Sequence, residues 1–344
     1  MQVVHVTAHG EPAVLELLDL PIPEPGPGEV LVRMLGVSVN HLDLWVRRGM
    51  AGVKLPLPLV PGCDGTGEVA RLGPGVAGPP VGTRVLVEPG VSSGTSAHDL
   101  AGNDHLSDDY QIRGEHCDGL AREYVAVPAR YVRPLPTGLD PLATAATPLV
   151  FLTAWGLLVT RARLQPGERV LVIAGTSGVG SAAIQVAKDL GARVVATAGS
   201  APKRALCLEL GADAAVDHGD PSWPALARQA AGGRSFDVVV EHVGPATWEG
   251  SMRVLARNGR LVTCGGTTGA VVQLALPHLF IKNQSVLGST MGPRAAFPTI
   301  LAKLSSGAYR PVVDRVLPLS RIREAHELLE ARRVLGKIVL TPGS

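Results

Sequence analysis

The sequence predicts an α/β protein in which a β-rich region precedes a doubly wound parallel sheet. The main observation is a regular alternation of apolar strand patterns and amphipathic helix patterns between residues 169 and 290, which is typical of a parallel sheet covered by helices. A second observation is a series of short strand patterns, separated by glycine and proline, in residues 1–127. Of the 344 residues, 46% are hydrophobic and 18% are charged, so the chain can bury the cores of about two domains.

The composition excludes several classes of protein. The formal net charge is +2 and no dense block of lysine and arginine occurs, which argues against binding to nucleic acid or to an anionic membrane. No apolar run approaches the roughly 20 residues of a membrane-spanning helix, and the N-terminus lacks the basic and apolar pattern of a secretory signal. The four scattered cysteines indicate no disulfide framework, so we expect a cytoplasmic location.

The β-rich region is predicted to contain short strands and one short helix. The strand patterns lie at residues 3–6, 15–17, 29–35, within 60–73, at 82–89 and at 124–128. Residues 40–49 carry apolar side chains at helical spacing. Residues 90–115 are polar and aperiodic, which is typical of a long functional loop. Prolines within 134–141 mark a hinge, and an apolar, helix-rich stretch follows it.

The second region supplies the strands and helices of the predicted parallel sheet. Its strands are predicted at 169–173, 193–197, 214–216, 236–241, 260–264 and 285–290, its helices near 181–190, 202–210, 222–231 and 246–257, and two late strands at 312–316 and 337–340 flank a helix at 320–333. The late strands are predicted to return to the first region. We therefore expect one domain of residues 1–127 completed by 290–344, and a second domain of residues 128–289.

A glycine-rich turn joins the first strand of the parallel sheet to its first helix. This layout points backbone N–H groups and a helix N-terminus at a phosphate. The predicted binding residues are Gly175, Ser177, Gly178, Val179 and Gly180. Ser177 stands in place of the middle glycine of G-x-G-x-x-G, so the backbone should approach a pyrophosphate less closely. A tight turn without a ligand is the alternative.

Several segments together resemble the medium-chain dehydrogenase/reductase superfamily, in its quinone-oxidoreductase-like and zinc-binding dehydrogenase branch. They are GVSVNHLDLWVRRG, VPGCDGTGEV, PLVFLTAWG, AGTSGVGSAAIQVAK, VTCGGTTG and LGSTMG, and the resemblance covers essentially the whole chain. It implies a GroES-like catalytic domain, a Rossmann domain, and hydride transfer to or from a nicotinamide in the cleft between them.

The resemblance also implies where a catalytic zinc would bind. The matching positions are Asn40, the pair Cys63 and Asp64, and Leu149. Asparagine is a poor zinc ligand and leucine is none, whereas a catalytic zinc needs three protein ligands. We therefore predict no catalytic zinc, with rescue of the site by His41 as the alternative.

The second zinc of the family is held by four cysteines in a lobe that matches the long polar loop. The corresponding residues here are Ser93, Ser96, Asp99 and Ser107, and serine does not replace a thiolate as a zinc ligand. We predict no structural zinc and, since a structural metal supplies folding free energy, a mobile lobe unless a partner covers it. A weak cation site among the remaining histidine and aspartate side chains is the alternative.

Cofactor preference is inferred from the residues after the second strand of the parallel sheet. Dehydrogenases that prefer NAD place an acidic residue there, and the matching residue is Ala198. Ser200, Lys203 and Arg204 follow and would hold a 2′-phosphate by charge-assisted hydrogen bonds. NADPH is therefore predicted, with NADH as the alternative. In that alternative, Lys203 and Arg204 only form an exposed face of their helix.

Glycines at two later strand ends are predicted to border the nicotinamide. Parallel strands present ligand sites at their carboxyl ends. The residues concerned are Gly244, Cys264 and Gly265.

The expected activity is NADPH-dependent hydride transfer to a quinone or an α,β-unsaturated carbonyl, because such acceptors need no metal to polarise them. By motif position, Asn40 would donate a hydrogen bond to the acceptor oxygen, Asp64 would order water or ribose, and Trp45 would line the pocket. Two alternatives stay open. One is an alcohol dehydrogenase with residual metal at Cys63 and Asp64; the other is a cofactor-binding protein without turnover.

The apolar segment Gln284–Met291 is predicted to be the last strand of the parallel sheet. In a monomer such a strand would leave an exposed edge. Because the resembled family commonly pairs subunits through sheet edges, we predict a homodimer that acts on a small-molecule substrate.

Overall fold

The structure, a computed structural model, describes residues 1–50 and 52–343 and divides them into two compact units. The first unit takes residues 1–149 together with the segment from Phe297 onward, and the second is Val150–Ala296. The sequence-based domain limits, 127/128 and 289/290, stay predictions. The contact-based division lies later because Ala145 and Ala146 are buried against Val339 of the first unit.

The described residues form seventeen strands, whose bounds follow in chain order. They are β1 (Gln2–Val6), β2 (Leu15–Asp19), β3 (Glu29–Val39), β4 (Asp64–Leu72), β5 (Arg84–Val87), β6 (Gly90–Val91), β7 (Gln111–Ile112), β8 (Tyr124–Pro128), β9 (Val132–Pro134), β10 (Arg169–Val172), β11 (Arg193–Thr197), β12 (Ala214–Val216), β13 (Phe236–Glu241), β14 (Leu255–Thr263), β15 (Ser285–Gly288), β16 (Val313–Pro318) and β17 (Lys337–Thr341).

The same residues form eleven α-helices. They are α1 (His41–Arg48), α2 (Ala97–Leu100), α3 (Pro141–Ala145), α4 (Pro148–Trp155), α5 (Gly178–Asp189), α6 (Ala201–Glu209), α7 (Trp223–Ala230), α8 (Pro245–Val254), α9 (Leu276–Ile281), α10 (Phe297–Ser305) and α11 (Ile322–Glu330). A π-helix, Gly156–Arg161, continues α4. None of the helices in the described part of the chain is both long enough and apolar enough to cross a membrane.

The first unit is built around one seven-stranded sheet. Its strand order is β16-β17-β3-β4-β5-β9, and β8 also pairs with β3. The late strands thus join the β-rich region, as the sequence predicts. β3 runs antiparallel to both β4 and β17, so the end of β3 lies between the starts of β4 and β17.

The second unit contains a six-stranded sheet in the order β12-β11-β10-β13-β14-β15. All neighbouring pairs are parallel, and the chain starts at the centre, moves to one edge and then fills the other side. This is the doubly wound Rossmann arrangement, so the predicted fold class is confirmed. The residues Val170–Val172 of β10 are fully buried, which explains why this strand is apolar on both faces.

The boundary between α8 and β14 differs from the sequence-based assignment. The predicted helix 246–257 ends at Val254, and β14 begins at Leu255. Leu255 adopts an extended conformation and pairs with Phe236 across an irregular register. Tertiary pairing therefore overrides the helical pattern at this point.

Candidate functional site

Three strand ends of the first unit bring together Asn40, Asp64 and Lys337. Ser38 of β3 pairs with Asp64 at the start of β4, and Val39 pairs with Ile338 of β17. Asn40 follows β3 directly, and Lys337 precedes Ile338. The register of the sheet thus places the amide, the carboxylate and the ammonium side by side, although Asn40 and Lys337 are 297 positions apart in the chain. We call these three residues the ammonium cluster.

The ammonium cluster is joined by direct hydrogen bonds. Lys337 Nζ donates to Asn40 Oδ1 and lies 3.4 Å from Asp64 Oδ2. Asn40 Nδ2 donates to the same Asp64 oxygen at 3.0 Å. The amide of Asn40 is therefore oriented at both ends, with its oxygen toward the cation and its nitrogen toward the carboxylate.

Asp64 receives further hydrogen bonds from outside the ammonium cluster. The backbone N–H of Leu149 donates to Oδ1 at 2.6 Å, and the Ser38 hydroxyl donates to Oδ2 at 3.1 Å. Asp64 is fully buried, whereas Lys337 and Asn40 keep 4% and 6% of their surface exposed. A buried carboxylate needs this combination of N–H and O–H donors with a nearby cation, because burial of an unpaired charge is costly.

Asp43 and Trp45 extend the site along α1. Asp43 accepts from the backbone N–H of Asn40 at 2.7 Å and from that of Gly62 at 2.9 Å, so it fixes the chain on both sides of the site. Burial raises the pKa of the Asp43 carboxyl to about 6, against the lowering effect of the two hydrogen bonds. Trp45 is partly exposed on the same helix, which begins directly after Asn40.

The donor set of this site does not fit a catalytic zinc. Burial, together with the neighbouring Asp64 and Asp43 carboxylates, raises the pKa of the Cys63 thiol well above its ordinary value, which disfavours the thiolate that zinc binds. Asn40 Oδ1 is engaged by Lys337, and Leu149 offers only an N–H donor. Across residues 1–50 and 52–343, no three or more His, Cys, Asp or Glu side chains are grouped to hold a metal ion. The absence of zinc itself stays a prediction.

Ser93, Ser96, Asp99 and Ser107, the four lobe positions considered in the sequence analysis, also lie together. Ser96 and Asp99 form a capping box at the start of α2, with the Ser96 hydroxyl 2.7 Å from Asp99 Oδ2. Ser107 contacts the Ser96 hydroxyl at 2.8 Å and the Asp109 carboxylate at 2.6 Å. Asp109 also accepts from the backbone N–H of Ser93 at 2.8 Å. We call this network the serine–aspartate cluster.

Hydrogen bonding lowers the pKa of both carboxyls in the serine–aspartate cluster. The Ser92 hydroxyl, 2.6 Å from Asp99, is the main reason that the pKa of Asp99 falls to about 2. The Ser107 hydroxyl is the main reason that the pKa of Asp109 lies below its ordinary value. Serine hydroxyls thus stabilise the ionised form of each carboxylate.

The predicted phosphate turn of the second unit lies at the N-terminus of α5. Ser177 is the N-cap of α5, and its hydroxyl accepts from the backbone N–H of Gly180 at 2.9 Å. A Cβ at Gly180 would lie 2.3 Å from the carbonyl oxygen of Ala174, and a Cβ at Gly175 would lie 2.8 Å from Cys207 Sγ. Only glycine permits this approach of strand and helix. The first-turn N–H groups of Gly178 and Val179 have no acceptor within the helix, so this turn fits a dinucleotide phosphate.

The residues predicted to border the nicotinamide follow the carboxyl ends of β13 and β14. In the sheet, β13 is next to β10 and β14 is next to β13. Gly244 has a φ of +90°, a conformation that favours glycine. Cys264 and Gly265 follow β14 directly. Burial raises the pKa of the Cys264 thiol to about 12, so this thiol is a poor nucleophile.

Glu241, which sequence reasoning did not single out, holds the loop that follows β13. Its carboxylate accepts from the backbone N–H groups of Val243 and Gly244 at 2.7 and 3.0 Å. The hydroxyls of Thr247 and Ser251 donate to its second oxygen at 2.8 and 2.7 Å. The loop that carries Gly244 is therefore held to the end of β13.

The residues predicted to bind a 2′-phosphate lie at the start of α6, and an acid lies beside them. Arg204 Nη1 donates to Asp217 Oδ2 at 2.6 Å, while Ser200 is the N-cap of the helix and Lys203 is partly buried on it. Asp217 follows β12, which pairs with β11. Sequence reasoning examined only the end of β11, where Ala198 lies, and so missed a carboxylate that the neighbouring strand supplies.

Comparison with known proteins finds similarity across both units. One family model, described as the alcohol dehydrogenase GroES-like domain, matches residues 26–137, and another, described as zinc-binding dehydrogenase, matches residues 178–306. A crystal structure of an NAD-dependent alcohol dehydrogenase is 47% identical, with a TM-score of 0.96 and 100% of both chains covered. The cobalt- and zinc-bound alcohol dehydrogenase of Pyrobaculum aerophilum is 35% identical, with a TM-score of 0.90 and 99% of each chain covered. The quinone oxidoreductase of Homo sapiens is 26% identical over 99% of this chain and 97% of its own length.

Proposed function

Because the chain belongs to the medium-chain dehydrogenase/reductase superfamily, we propose that it is a zinc-independent oxidoreductase that reduces a quinone or an α,β-unsaturated carbonyl with a reduced nicotinamide dinucleotide. The observation that supports this proposal is the chemistry of the three positions where zinc ligands would be needed. Asn40 Oδ1 binds Lys337, Leu149 donates its N–H to Asp64, and the pKa of the Cys63 thiol is raised. Without a Lewis acid, the favoured acceptors are those that are already electrophilic.

Residues of both units have proposed roles in this reaction. A bound reduced dinucleotide supplies the hydride, and the protein binds and orients it. We assign the phosphate contacts to Gly175, Ser177, Gly178, Val179 and Gly180, and the nicotinamide border to Gly244, Cys264 and Gly265. In support of the first assignment, the glycine turn combines a helix N-terminus with a close strand–helix approach.

Asn40, Asp64 and Trp45 keep the roles proposed from the sequence. One N–H of Asn40 Nδ2 donates to Asp64 at 3.0 Å, while the other potential acceptors, Ser38 O and Cys63 Sγ, lie at 3.4 Å. The second N–H is thus held weakly and is proposed to donate to the acceptor oxygen. Asp64 is proposed to order water or ribose, and Trp45 to line the pocket.

The proposed cofactor is NADPH, with NADH as the alternative. Ser200, Lys203 and Arg204 at the start of α6 support a 2′-phosphate site. The Arg204–Asp217 ion pair weakens that support, since the carboxylate competes for the guanidinium. The kcat/KM values measured with NADPH and with NADH decide between them.

A screen of acceptors tests the proposed activity. Purified protein is incubated with each reduced cofactor and with para-benzoquinone, an enal, an enone or an enoyl thioester, and cofactor oxidation is followed by absorbance. The proposal expects turnover that a metal chelator does not reduce, in protein that contains less than stoichiometric zinc. Stoichiometric zinc, with activity lost on chelation, would contradict it.

An alcohol dehydrogenase is the second candidate, and the 47% identical NAD-dependent alcohol dehydrogenase favours it. In this case the protein would oxidise primary or secondary alcohols with NAD⁺, using metal at Cys63 and Asp64. Alcohol oxidation that requires added zinc would support this candidate. Turnover of quinones or enones alone would exclude it.

We also propose a homodimer formed through the edge of the parallel sheet. β15 is the last strand of the sheet order, and neighbouring apolar side chains are exposed, among them Leu276, Phe280 and Ile281 at 63%, 65% and 57%. An unpaired edge with exposed apolar residues beside it favours association. Light scattering on the purified protein tests this, and a monomeric mass would contradict it.

A cytoplasmic location remains a proposal based on cysteine chemistry. All four cysteines are free, as expected in a reducing compartment. Fractionation of the source cells tests it.

A further inference from the structure

Lys337 has a hydrogen-bond donor that the described part of the protein does not use. An ammonium group carries three N–H donors. Within residues 1–50 and 52–343, its acceptors are Asn40 Oδ1 and, at 3.4 Å, Asp64 Oδ2. One N–H is therefore left over, on a side chain that is 5% exposed.

The ammonium is also not required to satisfy the hydrogen bonds of Asp64. That carboxylate already accepts from Leu149 at 2.6 Å, from Asn40 at 3.0 Å and from Ser38 at 3.1 Å. Lys337 is farther away, at 3.4 Å, than the 2.7–2.9 Å typical of a direct charge-assisted bond. Lys337 thus supplies positive charge to the site while its shortest contact is to the neutral amide of Asn40.

Exposure distinguishes the two ends of the ammonium cluster. Asp64 and its neighbour Cys63 are fully buried. Asn40 and Lys337 are the two of these four residues that keep some exposed surface, 6% and 4%. The residual exposure next to Asp64 therefore belongs to the residues that carry the amide and the ammonium. Two donors of this kind, one of them charged, suit an oxygen on which negative charge develops.

We propose that the Lys337 ammonium is a catalytic residue that donates a hydrogen bond to the carbonyl oxygen of the acceptor. This inference rests on the proposed function. When hydride from the cofactor forms the new C–H bond at the β-carbon of an enone, the C=C electron pair moves toward the carbonyl and the oxygen becomes an enolate. The ammonium stabilises that negative charge, and a proton from water at the α-carbon completes the two-electron reduction. Asn40 orients the ammonium through its Oδ1.

The test compares Lys337→Met, the double variant Lys337→Met/Asp64→Asn, and Lys188→Met as a control. Methionine keeps an unbranched side chain but removes the charge and the donors. Lys188 pairs with Asp213 on the second unit, so its substitution removes a lysine–aspartate pair elsewhere. The double variant removes both buried charges, which separates loss of the donor from an uncompensated carboxylate.

Each protein is assayed for enone reduction, for binding of the reduced dinucleotide by fluorescence, and for thermal unfolding. We expect kcat to fall about 100-fold in both Lys337 variants, as for removal of one oxyanion donor, with cofactor affinity unchanged and the control active. Folded Lys337→Met with wild-type kcat would overturn the inference. So would recovery of wild-type kcat in the double variant, because Lys337 would then serve only to neutralise Asp64. Dinucleotide binding without turnover of any acceptor by the wild-type protein would instead overturn the proposed function, and this inference with it.

Discussion

The ammonium cluster and the serine–aspartate cluster satisfy their polar groups in different ways. The first holds a fully buried carboxylate with a cation, an amide, a hydroxyl and a backbone N–H. The second holds its carboxylates with hydroxyls and backbone N–H groups at a partly exposed surface. The comparison shows that burial determines which groups must stabilise a carboxylate. A buried carboxylate needs a counter-charge, whereas water screens an exposed one.

Removal of the buried cation should have the largest effect on stability. Lys337→Met leaves the Asp64 carboxylate buried without a counter-ion, and such changes cost about 3–5 kcal/mol. We expect the free energy of unfolding in urea to fall by that amount. The double variant Lys337→Met/Asp64→Asn should recover most of the loss, and an equally unstable double variant would show that charge compensation is not the cause.

The pH dependence of stability should have opposite signs at Asp43, which hydrogen-bonds the backbone of Asn40 beside the ammonium cluster, and in the serine–aspartate cluster, and Asp43 gives the larger effect. Its pKa is raised from 3.8 to about 6, so between these values the folded state binds a proton that the unfolded state releases. Stability should therefore fall as pH rises from about 4 to about 6, by about 3 kcal/mol at 1.4 kcal/mol per pKa unit.

Asp43→Asn isolates this contribution. Asparagine lowers stability at every pH because it cannot accept both backbone N–H groups, but it should abolish the pH-dependent difference. Unfolding curves of both proteins between pH 4 and pH 7 measure that difference. Parallel pH profiles of the wild type and the variant would contradict the assignment to Asp43.

The Arg204–Asp217 pair is partly exposed, with 29% and 37% of the two side-chain surfaces accessible, and should give a smaller effect. Asp217→Asn keeps the side-chain shape and removes the competing charge, so Arg204 becomes available to a 2′-phosphate. We expect the NADPH-to-NADH ratio of kcat/KM to rise several-fold. Arg204→Ala is the matched control and should lower the ratio; an unchanged ratio in both variants would remove Arg204 from the cofactor site.

The exposed serine–aspartate cluster should show the smallest effect, confined to the lobe. The pKa of Asp99 is lowered to about 2, so its contribution to stability is present above the unfolded pKa near 4 and is lost as pH falls through 2. Hydrogen exchange of residues 92–109 should accelerate in this range. Asp99→Asn should show the faster exchange already at neutral pH, unlike Asp108→Asn at an exposed position of the same loop; equal exchange in the two variants would contradict the role of Asp99.

The lobe also shows a limit of sequence reasoning. Serine and aspartate at the four positions where the family resemblance implies cysteines predict a mobile loop, and this prediction stays open until exchange is measured. The structure adds a physical alternative, because the four replaced positions lie within one hydrogen-bonded network. Residue types that cannot bind zinc can still bind each other, and the sequence pattern does not show this.

The amino-acid sequence by itself determined the fold class, the glycine turn and the position of Asn40 and Asp64 at one motif-defined site. These features depend on local periodicity and on short motifs, which are encoded within a few neighbouring residues. Only the tertiary structure decided that Lys337 lies beside Asn40, 297 positions away, and that Asp217 faces Arg204. Both contacts depend on which strands are neighbours in a sheet and in which register they pair, and that is set by packing of the whole unit rather than by any local pattern.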